Sequence, residues 1–195
     1  TGLMLAAIAF FTSLPILAGA LAQIPVGILS DRMDRRKVLV GIALAALVAD
    51  ILFITIAPQG RIPNLVLAAI LGGSIFAMYP VIVAHANDHA APGTSIQISG
   101  GLLLLYGGGG IVGPLMAGWA MSNFADRALF MVTAVAHVLV IVYTMWRISR
   151  RVAVKEADKT AFQVAPGGRG STPQTAVLGA SDAEVQAEAD TAAAT

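Results

Sequence analysis

Apolar residues run through this chain in five long stretches separated by short polar breaks. A hydrocarbon core about 30 Å thick takes roughly 20 residues of helix to cross. Measured against that length, the predicted spans are residues 3–29, 38–57, 64–86, 98–121 and 128–146. Unbroken apolar runs predict helices, because barrel strands alternate over about ten residues and lipid forces every backbone group to bond within its own segment. Pro15 and Pro25 fall inside the first span, which is long enough to tilt or kink. The expected fold is all-α and integral to the membrane, with residues 1–150 forming the transmembrane part.

After residue 150 the apolar periodicity stops. Residues 161–181 are rich in Gly, Pro, Ser, Thr and Ala, and Asp182, Glu184, Glu188 and Asp190 make the end acidic. Such a segment buries too little apolar surface to offset chain entropy, so residues 151–195 are expected to be a disordered tail, with at most a weak helix after Asp182. Composition sharpens the division: 57% of residues are hydrophobic and 12% charged, against roughly a quarter charged in a soluble domain. Net charge is +1 and cysteine is absent, so no nucleic-acid partner, disulfide or thiolate metal site is expected.

The basic residues set the orientation. Arg32, Arg35, Arg36 and Lys37 follow the first span, and Arg147, Arg150, Arg151, Lys155 and Lys159 follow the fifth, while the intervening outer loops carry only Arg61 and Arg127. Both basic clusters are therefore expected in the cytoplasm, with the C-terminus. The loop from His85 to Gln97 is inside by alternation. An outer start at Thr1 with no preceding helix predicts a chain that begins mid-protein and reads as a span rather than a signal peptide.

Four groups of residues are candidates for chemistry. Residues 27–36, Gly-Ile-Leu-Ser-Asp-Arg-Met-Asp-Arg-Arg, place Asp31 at the membrane surface within reach of a basic side chain or a helix N-terminus. The plain alternative is a positive-inside loop meeting anionic lipid. The fourth span carries Gly107–Gly110, then Gly113, Pro114 and Gly118; Gly109 and Gly113 form a GxxxG step suited to close helix packing, and Pro114 favours a bend. Asp50 lies well inside the second span, where a carboxylate costs ~2.5–3.5 kcal/mol on the insertion scale. Burial favours the neutral form of a carboxyl group, so Asp50 is a candidate proton site, weighed against a structural carboxyl bonded to a neighbour. His85, Asp88 and His89 have metal-ligand spacing on a continuing helix, yet Pro92 and Gly93 follow at once and read as a helix end; no metal or other cofactor is expected. HExxH, GxSxG and GxxxxGK[ST] are all absent, so no hydrolase or nucleotide-driven pump is expected on this chain.

The loop from Gly27 to Arg36 resembles the signature loop of the major facilitator superfamily: Gly, two residues, a small residue, Asp, a basic residue, one residue, Gly and two basic residues. The match fails at Asp34, where that family usually has Gly. The Gly-Pro segment of the fourth span is similar to the Gly-rich helix of the same family, at the same separation of two intervening helices. The resemblance covers about residues 3–150. It implies a latch in which Gly27, Asp31, Arg32, Arg35 and Arg36 stabilise the conformation closed to the cytoplasm. It also implies a secondary active transporter in the plasma (inner) membrane that moves a small solute by alternating access, coupled to an ion or proton. The two halves of such a transporter are repeats; the tail, and the lack of an intramembrane Arg in the third span, place this chain at helices eight to twelve, with the N-terminal half of the same polypeptide missing. The solute path would then be lined by the first, third and fourth spans, where Gln23, Ser74, Tyr79 and Tyr106 are the candidate contacts. Two further readings stand beside it, a membrane-embedded scaffold subunit and an intramembrane metalloenzyme built on His85, Asp88 and His89.

Overall fold

The computed structural model describes residues 2–56, 60–90 and 94–150, and the expected tail at 151–195 lies outside the described residues. Five helices follow one another: α1 (Gly2–Arg32), α2 (Arg35–Thr55), α3 (Arg61–Asn87), α4 (Ser95–Asn123) and α5 (Ala128–Arg150). Each contains a stretch apolar and long enough to cross a membrane. At a rise of 1.5 Å per residue even the shortest is about 30 Å long. Most helices overrun the apolar span because polar residues at the water boundary, Arg61, Asn87 and Arg147 among them, continue the helical hydrogen bonding into the headgroup zone.

Packing runs in the order α1, α3, α2, α5, with α4 lying loosely against α5 and α3. Helices α1 and α3 run parallel, since Pro15 meets Gly72 and, one turn on, Gly19 meets Phe76. Small residues make this seam: a Cβ on Gly19 would fall 2.5 Å from that of Phe76, and one on Gly72 would fall 2.6 Å from the Pro15 carbonyl oxygen. Helices α2 and α5 run antiparallel and are tied at both ends by arginines on carbonyls. Arg36 Nη1 donates to Arg147 O at 3.3 Å, and Arg127 Nη1 donates to Ile54 O at 3.2 Å. Each guanidinium thus meets the negative end of the opposite helix.

The core is narrow and built from small side chains, Ala43, Ala46, Ala49, Ala68, Ala77 and Ala84 among them. Large apolar residues point outward instead, including Leu21, Leu104, Leu115, Val135 and Leu139. That inversion suits a protein whose solvent is lipid, where close backbone approach and van der Waals contact replace the hydrophobic drive. Among the described residues of α4, only Ala120 is buried, and a Cβ on Gly107–Gly110, Gly113 or Gly118 would meet nothing within 4 Å. The close approaches of this bundle lie at Gly19 and Gly72, which the sequence did not single out. The Gly face of α4, with Pro114, stands open within the described residues.

Candidate functional site

The turn between α1 and α2 is built around Asp34. It caps α2: Arg36 N donates to its Oδ1 at 3.0 Å, and the Arg36 side chain grips the same carboxylate through Nε at 3.0 Å and Nη2 at 2.8 Å. Its φ of −58° is open to any residue, so the turn does not need the Gly that the family usually has there. Partial burial works to raise the Asp34 pKa, but the hydrogen bonds and charge of Arg36 outweigh it and hold the carboxyl below its ordinary value of 3.8. A depressed carboxyl adds stability that is full above its unfolded pKa and is lost as pH falls through the folded one. Asp34→Ala is therefore expected to lower stability by about 1 kcal/mol at neutral pH. The deficit should begin to shrink as pH falls below about 4 and be smallest below the depressed pKa of the folded protein, as checked by thermal unfolding of both proteins across pH.

Arg35 turns the other way and becomes the hub of this end of the bundle. It is 1% exposed, although it opens a helix beside the most basic stretch of the loop. Its Nε donates to Asp88 Oδ2 at 2.8 Å, Nη1 donates to Ser30 Oγ at 3.4 Å, and Nη2 lies 3.3 Å from Asp31 Oδ1. One guanidinium therefore joins the end of α1, the start of α2 and the end of α3. The geometry is Arg-specific, because the planar fork offers three donor positions in fixed directions. Asp88 is engaged from below by this cation; the His89 ring meets the His85 carbonyl at 3.0 Å, and the two histidine rings lie 4.7 Å apart. No group of three or more metal-ligating side chains occurs among the described residues.

The other candidates separate. Gly27 is buried on α1, and Arg32 is exposed at its last position. Gln23 is 3% exposed, and its Oε1 has no hydrogen-bond partner. The parallel register of α1 and α3 carries it one turn beyond the Gly19 and Phe76 contact, level with Pro80. Ser74 is buried on α3, and Tyr79 meets Tyr106 of α4 with ring centroids 5.0 Å apart.

Asp50 is fully buried and has partners that sequence reasoning missed. His137 Nδ1 lies 2.8 Å from its Oδ2, and Thr133 Oγ1 donates to its Oδ1 at 2.8 Å. The available signal was His137 itself, a histidine in the middle of an apolar span, with Thr133 four residues earlier on the same helical face.

A bundle of membrane-crossing helices, laced at one end by an arginine and carboxylate cluster, defines a multi-pass integral membrane protein with a built loop between its first two helices. The chain belongs to the Major Facilitator Superfamily, whose defining sequence pattern matches residues 1–184. That family comprises transporters rather than enzymes, which removes the metalloenzyme reading of His85, Asp88 and His89. The chain is similar to proteins named "Uncharacterized MFS-type transporter YcaD" from Salmonella arizonae, Salmonella paratyphi B and Salmonella newport. Each is 32% identical over 133 residues, 68% of this chain and 34% of the relative. The matched part thus spans about a third of the length of those relatives. No solved structure matches the chain.

Proposed function

We propose that this chain is one part of a secondary active transporter that moves a small solute across the membrane by alternating access, coupled to an ion or proton. The observation that carries the proposal is the Arg35 cluster. A buried cation that binds Ser30, Asp31 and Asp88 at once stabilises a single arrangement of three helix ends and is lost when they part. That is the behaviour required of a latch, and it uses the loop residues through which the chain resembles its family.

In this reading the latch lies on the cytoplasmic side of the inner membrane, together with the C-terminus, as the excess of Arg and Lys there supports. The chain corresponds to helices eight to twelve, and the remaining helices come from the N-terminal half of the same polypeptide. They would cover the open Gly face of α4 around Gly109, Gly113, Pro114 and Gly118. The solute would pass between the two parts along α1, α3 and α4. There the unpartnered Gln23 carbonyl accepts a hydrogen bond, and Ser74, Tyr79 and Tyr106 supply hydroxyl and ring contacts. These helices carry no charge between Gly2 and Ser30, between Ile62 and Ala84, or along α4, which favours a solute without strong charge at this wall.

The test is Asp31→Asn in the full natural protein, after a screen of solute uptake and efflux in membrane vesicles. Transport is expected to fall several-fold while the amount of protein in the membrane is unchanged. Equal transport by the two proteins would overturn the gating role of the loop.

A further inference from the structure

We propose that Asp50 and His137, supported by Thr133, form a single proton-binding site between α2 and α5. The site does not depend on the transport reading above.

Asp50 lies fifteen residues along α2 from Arg35, about 22 Å at helical rise, so it sits within the hydrocarbon zone. It is 0% exposed and His137 is 6% exposed. Both carboxylate oxygens are engaged, Oδ2 by the imidazole and Oδ1 by the Thr133 hydroxyl. Among the described residues no Lys or Arg pairs with Asp50. On α2 the next charge in either direction is Lys37 or, beyond the helix, Arg61; α5 carries Arg147 and Arg150 at its far end, with Asp126 and Arg127 just before its start and the Tyr143 phenol between, and α4, packed on α5, carries Tyr106. Helix α3, packed on the other side of α2, has only Tyr79 as an ionisable group between Arg61 and His85, and α1 has none before Asp31. Arg127 is held by the Ile54 carbonyl, a turn beyond Asp50.

The charge balance follows directly. With neutral imidazole donating from Nδ1 to ionised Asp50, the pair carries one negative charge. One proton taken from water onto Nε2, which has no partner among the described residues, gives an imidazolium and carboxylate pair that is neutral overall. A low-dielectric surrounding favours that neutral state, and contact with water favours release. Thr133 fits both states: its one hydroxyl hydrogen reaches Asp50 Oδ1, or the Phe130 and Leu129 carbonyls at 3.2 and 3.3 Å. The stacked rings of Phe53 and Phe130, 4.3 Å apart, lie between the pair and the Arg127 end of the two helices.

The experiment is nitrogen NMR of histidine-labelled full natural protein in lipid nanodiscs, with the His137 signals assigned by their loss in His137→Gln. Between about pH 5 and pH 8, where imidazole changes charge, His137 is expected to pass from imidazolium to the neutral ring. In Asp50→Asn it is expected to stay neutral throughout. If His137→Gln does not fold, the His137 signals are identified as those shifted by Thr133→Ser, which leaves every other histidine in place. A His137 ring that keeps one protonation state over the whole range in the wild-type protein would overturn the proposal, as would a titration unchanged by Asp50→Asn. No solute enters this measurement, so a failure of transport and a failure of proton binding are read separately.

Discussion

Arg35→Gln is expected to unlatch the basic end of the bundle and shift the protein toward the conformation open on that side. The guanidinium is buried, and its principal partner Asp88 has a side chain only 2% exposed. Removing the cation leaves the carboxylate in place without its counter-charge, which costs about 3–5 kcal/mol in buried pairs. All of that cost falls on the closed state, because parting of the helix ends returns Asp88 to water. A closed-to-open ratio should therefore fall by about two to three and a half orders of magnitude, at about 1.4 kcal/mol per factor of ten. The described helices contain no cysteine, so a single cysteine in place of Ser30, buried in the latched state, reports opening by its rate of alkylation from the basic side. Because Ser30 itself accepts from Arg35, the rate in Ser30→Cys alone is the reference. Alkylation is expected to be at least tenfold faster when Arg35→Gln is added, and intermediate with Arg35→Lys, which keeps the charge but loses the fork. An unchanged rate in Arg35→Gln would show that the cluster stabilises the fold without controlling access. The pair Arg35→Leu with Asp88→Leu separates the two roles further: removing both charges restores stability but not the latch.

Much of this arrangement was legible in the chain, and what was not has physical reasons. Bilayer thickness imposes one length on every span, so five apolar runs give five helices with no knowledge of their packing. Most ends moved outward by a few residues, because hydropathy marks where lipid stops, whereas helical hydrogen bonding at Arg61 or Arg147 does not stop there; α2 instead ends at Thr55, short of the expected residue 57. The loop arginines are alike in sequence and unlike in space: Arg32 is exposed, Arg35 is buried against the end of α3, and Arg36 binds Asp34 and the end of α5. Only the crossing of three helices distinguishes them. Asp88, read beside His85 and His89 as a possible metal ligand, is turned toward Arg35 by the same crossing. Asp50 was visible as an intramembrane charge, but its partners lie 83 and 87 residues further on. Finding them needs the antiparallel register of α2 and α5, which no local pattern encodes. The glycine-rich run on α4 drew attention by composition, while Gly19 and Gly72 carry the tightest packing because each happens to face a neighbouring helix.

That difference yields the second large effect. Gly72→Ala is expected to disrupt the fold, while Gly73→Ala, one residue on, is expected to be nearly neutral. A Cβ at Gly72 would lie 2.6 Å from both the Cα and the carbonyl oxygen of Pro15, backbone atoms that no rotamer change can move aside. The ring of Pro15 fixes its φ and leaves that stretch of α1 still less able to give. Relief requires α1 and α3 to separate along the most extensive contact in the bundle. In lipid that contact is held by van der Waals packing rather than by a hydrophobic drive, and a gap of even 0.5–1 Å forfeits a quarter to a half of each atom pair's attraction. Overpacking of this kind costs typically about 1–3 kcal/mol and more where the backbone must shift. At Gly73 the nearest atom is the Ala22 Cβ at 3.5 Å, an ordinary contact that a methyl group fills without movement. Thermal unfolding in detergent should show a large fall in Tm, or no folded protein, for Gly72→Ala and little change for Gly73→Ala; equal behaviour of the two would refute the tight seam. Gly113→Ala on α4 then becomes informative in the full natural protein. Nothing described lies within 4 Å of that position, so a loss of stability there would register a helix from outside this chain packed against the open face, and no loss would leave that face to lipid.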